Sequence, residues 1–241
     1  MNDKMISIII PAYNEENRIS NNLKIIAEFM QSLDTPYEII IVDDGSSDKT
    51  KEIAAKAISN IPNINLISYM PNKGKGFAVK TGILASKGDF VGFTDVDLSA
   101  PIDELKKLLD AINDGFDLAI GSRALPTSEL SIHQPLYREL GGKFLNLIIR
   151  MLAVPGIKDT QCGFKLFKGD IARNIFSISI LNGWSFDIEA LYLSRKMGAK
   201  IAEVPIKWSH SEGSKLSPIS AGFKMIADII YMRLHKYAIK K

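Results

Sequence analysis

A chain of 241 residues that is 46% hydrophobic and 24% charged can bury a substantial core as one large domain, or as one domain with an appendage. Its formal net charge of +3 suits an anionic substrate or an anionic membrane surface and makes no case for nucleic acid. Cys162 is the only cysteine, which excludes a disulfide framework and a cysteine-built metal centre and points to a packed thiol in a reducing compartment.

In chain order, residues 5–10 read as a strand, residues 15–33 as a helix with Ile19, Leu23, Ile26 and Met30 on one face, and residues 37–42 as a second strand. Ser47 is expected to cap a helix running to about residue 58. Residues 65–69 follow as a strand, 75–86 as a helix, 90–94 as a strand, 102–113 as a helix and 117–120 as a fifth strand. After Arg123 the pattern changes. Residues 126–135 form a loop, 137–153 an amphipathic helix, 163–168 a short alternating strand, 187–197 a helix, 201–208 a strand, and a last helix begins near residue 217. The pattern shows no internal repeat and no low-complexity linker, and no signal peptide is expected. The apolar run over residues 145–154 is interrupted by Arg150 and falls short of the roughly 20 residues a spanning helix needs, so the chain is not expected to cross a bilayer by itself.

The alternation predicts an α/β fold with a mainly parallel sheet flanked by helices and a ligand crevice at the carboxyl ends of the strands. Four polar clusters sit at such ends: residues 11–15, residues 43–46, residues 72–76 and residues 95–97. Asp95 and Asp97 leave a strand end two residues apart and project the same way, so they can share a hard divalent cation that also holds a diphosphate. The competing reading is that they only turn the chain before Pro101. A carboxylate of Asp43 or Asp44 can accept from a ribose hydroxyl or a pyrimidine N–H, while Ser47 or Asp48 caps the next helix. Lys73 and Lys75 stand with Gly74 and Gly76 just before a helix, as expected where N–H and ammonium groups meet phosphate oxygens, a flexible turn being the alternative. The spacing lacks a third glycine and follows the third strand, which disfavours a dinucleotide site of the Rossmann type. His133, His210 and His235 are read as isolated surface residues.

The runs Pro11-Ala-Tyr-Asn-Glu15 and Val42-Asp-Asp-Gly-Ser-Ser47, with the Asp95/Asp97 pair, resemble the family 2 glycosyltransferases, whose fold is the GT-A type. Asn72-Lys-Gly-Lys-Gly76, Gly121-Ser-Arg-Ala124, Pro155-Gly-Ile-Lys-Asp-Thr-Gln-Cys-Gly-Phe-Lys165, Trp184-Ser-Phe-Asp-Ile-Glu189, and Lys207-Trp208 with Gly213-Ser-Lys215 are similar to the lipid-phosphate subgroup, the dolichyl-phosphate β-glucosyltransferases. The resemblance covers nearly the whole chain in order. It implies one GT-A domain over residues 1–241, with residues 1–123 as the nucleotide-sugar-binding half and 124–241 as the acceptor-side half. It implies transfer of glucose from UDP-glucose to a polyprenyl or dolichyl phosphate with inversion. Pro11, Tyr13, Glu15 and Asp44 would hold the nucleoside, Asp95 would face the ribose and the metal, and Asp97 would bind Mg²⁺ or Mn²⁺ across the diphosphate. Two departures stand out: eukaryotic members begin with a spanning helix whereas here a strand starts at Met5, and Ser99 stands where the related mannosyltransferases carry a glutamine.

A phosphate monoester is already an anionic nucleophile, so a strong general base is less necessary than for a sugar hydroxyl. Cations must instead offset the repulsion between two phosphate groups. Arg123 and Arg138 are the candidates for the acceptor phosphate, since a guanidinium binds it through two N–H groups at once; Asp159 is an orienting or base residue. Ile219, Phe223, Ile226, Ile230, Leu234 and Tyr237 recur at helical spacing beside Lys224, Arg233, Lys236, Lys240 and Lys241. Leu140, Phe144, Leu147, Ile148 and Met151 do likewise beside Arg138, Lys143 and Arg150. Core or a subunit interface would account for such faces, but a lipid acceptor favours seating on the cytoplasmic face of a membrane. A GDP-mannose or UDP-N-acetylhexosamine enzyme of the same fold, and a non-catalytic nucleotide-sugar-binding module, are the alternatives.

Overall fold

Strands β1 (Ile6–Ala12) and β2 (Tyr37–Asp43) are apolar almost throughout, and a strand of that kind has to be covered on both faces. The structure, a computed structural model, describes residues 3–59, 61–130, 149–209 and 218–239 and provides that cover. Residues Ile6, Ile8, Ile10, Ile39 and Ile41 point into one core layer, built with α1 (Ile19–Gln31), α2 (Thr50–Ile58) and α4 (Leu105–Asn113). Ile9, Ile40 and Val42 point the other way, into a layer built with α3 (Lys75–Ala85), α5 (Gly169–Ile178), α6 (Phe186–Lys196) and α7 (Pro218–Leu234).

With β3 (Ile64–Ser68), β4 (Phe90–Phe93), β5 (Leu118–Ser122), β7 (Lys165–Lys168) and β8 (Ile201–Pro205), the described residues form one seven-stranded sheet in the order β3-β2-β1-β4-β7-β5-β8. All pairings are parallel except those of β7, which runs antiparallel between β4 and β5. That reversal has a consequence for the site. The start of β7, not its end, lies at the carboxyl edge of the parallel strands, so Lys165 pairs with Phe93 and Ile120 in register.

Four local expectations change. Helix α5 was not foreseen, although Ala172, Ile175 and Phe176 are buried at helical spacing. The strand expected over residues 201–208 breaks after Pro205: β8 stays in the main sheet, and β9 (Lys207–Trp208) pairs with β6 (Glu129–Leu130), inside the segment expected to be loop. At the start of α2 it is Asp48, rather than Ser47, whose carboxylate accepts the Thr50 N–H, at 2.9 Å. Of the helix expected over residues 137–153, residues 149–152 are helical and residues 137–148 lie outside the described residues. No helix among the described residues is long and apolar enough to cross a membrane.

Candidate active site

Asp43 ends β2 and Asp44 follows it, and both are buried. Asp43 accepts the Ser68 hydroxyl at 2.9 Å and the Ser46 N–H at 3.2 Å, tying β2 to the end of β3. Asp44 accepts from four donors: the Tyr69 hydroxyl at 2.9 Å, the Asn72 amide at 2.8 Å, and the N–H groups of Lys73 and Gly74, each at 2.9 Å. Two carboxylate oxygens have about four lone-pair sites, so this set saturates Asp44. It is the post around which residues 69–74 are wound. Burial, with Asp44 beside it, pushes the Tyr69 hydroxyl well above the ordinary tyrosine range. Gly45 lets the loop close: at φ +69 a Cβ there would lie 2.7 Å from the Asn72 nitrogen.

The loop after β1 is stitched to the same region. The Asn14 N–H donates to the Ser46 hydroxyl at 3.0 Å, Asn14 Oδ1 accepts the Ser47 N–H at 2.9 Å, and the Glu15 N–H donates to Thr50 at 2.7 Å. Glu15 carries an ion pair with Arg18, while the Tyr13 ring stands half exposed at the rim, close to Pro11 in the chain. The nucleoside candidates thus lie on two loops that brace each other.

Asp95 and Asp97 follow β4, both partly exposed. Asp97 accepts the Ser99 N–H at 2.9 Å, and Asp95 forms an ion pair with the Lys75 ammonium. Lys75 also lies over the Trp184 ring, 5.2 Å from its centroid, whereas Lys73 lies over Phe77 and Tyr69 at 4.5 and 5.3 Å. Burial works to lower the Lys75 pKa, but Asp95, Asp187 and Asp97 more than offset it and hold the ammonium above its ordinary value. Beneath this pair lies a second one that sequence reasoning had not assigned to the site: Lys165, fully buried, meets Asp187 at 2.5 Å and the Cys162 carbonyl at 2.6 Å. Burial raises the Asp187 carboxyl, with Lys165 and then Lys75 pulling it back. Because the charge of Asp187 also reaches Arg123 and Asp95, these groups belong to one electrostatic cluster.

Arg123, the residue after β5, donates from Nε and Nη2 to Asp159 at 2.7 and 2.9 Å, and its own N–H goes to the same carboxylate at 2.9 Å. Its guanidinium lies 5.3 Å from the Trp208 ring centroid. Glu203 on β8 fixes this unit from behind, accepting the Ser122 hydroxyl at 2.8 Å and the Asp159 N–H at 2.7 Å. Burial alone would raise the Asp159 carboxyl, but the Arg123 charge holds it below the ordinary aspartate value. A carboxylate in that state orients its partner better than it takes a proton. Arg138 lies outside the described residues.

Glu189, fully buried, was likewise not assigned. It accepts the N–H groups of Ile180 and Leu181 at 2.8 and 2.9 Å and the Tyr237 hydroxyl at 2.6 Å. It shapes the loop before α6, whose Asn182 carbonyl accepts the Phe77 N–H at 3.1 Å and which carries Trp184 over Lys75. Polar residues inside apolar runs, Lys165 in β7 and Asp187 and Glu189 in α6, were the available signal.

Among the described residues no three His, Cys, Asp or Glu side chains gather around a common point. The donor set is two aspartates at one strand end, partly open to solvent, with an ammonium already beside one of them. Such a set fits a hard cation that completes its coordination with oxygens of a bound ligand and water.

Of the apolar stripe picked out by spacing, Phe223, Ile230 and Leu234 on α7 are turned away from the core, Ile226 is half-buried and Tyr237, beyond the helix, packs against the core. Met225, Ile229 and Met232 face the core, while Phe223, Ile230, Tyr231 and Leu234 are exposed, Phe223 and Leu234 at 74% and 78%. The exposed Met151 and Leu152 adjoin this face, since Arg233 donates to the Leu152 carbonyl.

The description "Glycosyl transferase family 2" matches residues 7–176. A dolichyl-phosphate β-glucosyltransferase of Dictyostelium discoideum is 39% identical over 240 residues, covering 95% of this chain and 73% of that protein. The human protein of the same name is 33% identical over 244 residues, covering 96% and 75%. Among solved structures, the Mycobacterium tuberculosis glucosyl-3-phosphoglycerate synthase in complex with Mn²⁺, UDP and glucosyl-3-phosphoglycerate aligns with a TM-score of 0.72 at 20% identity, covering 95% of this chain and 80% of that one. The sheet order, the aspartate pair closing β4 and the span of these matches agree: the chain has the GT-A fold and belongs to glycosyl transferase family 2.

Proposed function

We propose that this glycosyltransferase moves glucose from UDP-glucose to a polyprenyl or dolichyl phosphate, with inversion at the anomeric carbon, while seated on the cytoplasmic face of a membrane. The observation that carries the reading is the cluster at the sheet's carboxyl edge, where Asp95, Asp97 and Lys75 stand together and the charge of Asp187 links them to the Arg123–Asp159 unit. The names of the relatives that match nearly the whole chain support the choice of donor and acceptor.

In this reading residues 1–123 take the donor and 124–241 the acceptor. Pro11, Tyr13 and Glu15 frame the nucleoside, and Asp43 and Asp44 act by fixing the loops around it. Lys73 and Lys75 meet the diphosphate. Asp95 and Asp97 hold Mg²⁺ or Mn²⁺, which when bound offsets the charge that builds on the departing diphosphate. Arg123, held by Asp159 and joined by Arg138, binds the acceptor phosphate. A phosphate oxygen of the lipid attacks the anomeric carbon from the face opposite the leaving group; the bond from that carbon to the diphosphate breaks, and UDP carries the electron pair away. No proton need be removed from a phosphate dianion, which fits the depressed pKa of Asp159.

The exposed apolar residues of α7 are the part of the protein expected to enter the membrane interface, with Lys224 and Arg233 on the same helix available to anionic lipid. Replacing Phe223→Ser together with Leu234→Ser removes apolar area that is mostly exposed among the described residues, so stability should largely hold. Transfer to polyprenyl phosphate in vesicles is expected to fall about tenfold, and transfer to a short soluble phosphate analogue to stay near wild type. An equal loss on both acceptors would show that α7 serves the fold or the site and not the membrane.

A further inference from the structure

The Lys75 ammonium occupies the electrostatic place of a divalent cation, paired with Asp95 and within the field of Asp97 and Asp187. Its backbone cannot shift easily. Gly74, at φ +102, would put a Cβ 2.5 Å from the Asn182 carbonyl oxygen, and Gly76 would put one 2.6 Å from that of Leu181, so the loop and α3 are packed tightly against residues 181–183. The side chain is differently placed: beyond Asp95 its ammonium rests on the face of Trp184, an exposed ring that lets it slide without leaving a favourable surface. Among the described residues Asp97 accepts one hydrogen bond, from the Ser99 N–H, and no group there bonds both aspartates. A cation approaching Asp95 therefore meets an ammonium already there, and the repulsion between the two like charges weakens its binding at that carboxylate.

We propose that Lys75 is a displaceable counter-ion: it neutralises Asp95 in the nucleotide-free protein and is drawn off by the incoming diphosphate, so that metal and nucleotide bind together and neither binds well alone. The proposal rests on the reading of Lys75 as a diphosphate contact, and adds that the same side chain guards the metal carboxylate beforehand. The protein would thereby avoid holding a bare divalent cation between turnovers.

The test is Mn²⁺ binding followed by electron paramagnetic resonance, without nucleotide and with UDP, on the full chain and on Lys75→Met, with Lys75→Gln as a second variant should the first fail to fold. Wild-type protein is expected to bind Mn²⁺ weakly alone, unchanged by uridine and strengthened by UDP. Lys75→Met should bind Mn²⁺ about fivefold more tightly than wild type in the absence of nucleotide, and UDP should strengthen its binding less. Nucleotide-free affinity equal to or below wild type in a folded variant overturns the counter-ion role. Calorimetry with UDP in the absence of metal separates the two layers: weaker UDP binding by the variant supports the diphosphate contact, while unchanged UDP binding removes that contact and with it the exchange.

Discussion

Asp97→Ala is expected to lower glucosyl transfer by about 10³-fold or more while leaving a folded protein, because an aspartate at that position is worth little to the fold and much to the charge balance of the reaction. Among the described residues its hydrogen bond to the fold is the 2.9 Å one from the Ser99 N–H, in a turn where Leu98 takes φ +51. Loss of such a bond costs about 1 kcal/mol. The departing UDP, by contrast, carries a diphosphate charge that the Lys75 ammonium, paired with Asp95 before the nucleotide arrives, offsets only in part. Several kcal/mol of stabilisation are then lost from the transition state, each 1.4 kcal/mol being about a factor of ten in rate. Asp97→Asn is the sharper variant. It keeps an oxygen for Ser99 and removes the charge, so near-complete inactivation with an unchanged melting temperature is the expected pair of results. Chelation by EDTA should arrest the wild type, and added Mn²⁺ or Mg²⁺ should restore it. Undiminished turnover in EDTA contradicts the metal role of both aspartates.

Arg123→Ala is expected to reduce transfer by about 10³-fold and to leave UDP-glucose affinity within a factor of about two, since a clamp for the acceptor phosphate acts after the donor is bound. Asp159 determines how that experiment is read. The carboxylate is almost completely buried, and Arg123 supplies three of its hydrogen bonds. Removing the arginine strands a buried charge, and losses for broken buried pairs reach about 3–5 kcal/mol; with the guanidinium itself one-third exposed, less is expected here. Arg123→Lys is therefore the companion variant. It keeps a cation for Asp159 but cannot present the planar two-pronged donor set, so transfer should drop while stability largely survives. The pair also sets an acid limb. The Asp159 pKa is lowered by folding, so its contribution is complete above the ordinary aspartate pKa and is lost as pH falls through the lower folded value; Asp159→Asn should flatten that part of the stability curve. Should Arg123→Ala weaken UDP-glucose binding as much as it slows transfer, the residue belongs to the donor side.

Why the aspartates could be found from the sequence and their neighbours could not follows from how each is positioned. Asp43, Asp44, Asp95 and Asp97 end strands that announce themselves as apolar runs, and the carboxyl edge of a parallel sheet gathers such ends wherever they fall in the chain. The direction of β7 was not legible, because an alternating strand of four residues carries no record of which neighbours it will pair with. That direction is what brings Lys165 under the site. Asp44 illustrates a different limit. The expectation was that it accepts from the nucleoside, but its carboxylate is filled by four donors that lie 25 to 30 residues further on and become partners only when residues 69–74 wrap around it. Glu203 is likewise 81 residues from Ser122 and 44 from Asp159, so its hold on the Arg123 unit exists only in the folded chain. The outward stripe of α7 was visible as a period. What spacing could not say is which of two apolar faces meets the core, and Met225, Ile229 and Met232 took it.

The lipid phosphate itself is expected to receive glucose from UDP-glucose. The most direct measurement is to incubate the protein with glucose-labelled UDP-glucose, polyprenyl phosphate in vesicles and Mn²⁺, with labelled GDP-mannose and UDP-N-acetylglucosamine in parallel, and to extract the lipid. Label is expected in the lipid phase from UDP-glucose alone, in a product that mild acid cleaves to free glucose and that Asp97→Asn does not form. Label appearing there from GDP-mannose in preference to UDP-glucose, or remaining in the aqueous phase with every donor while the wild-type protein is folded and binds UDP, would contradict it.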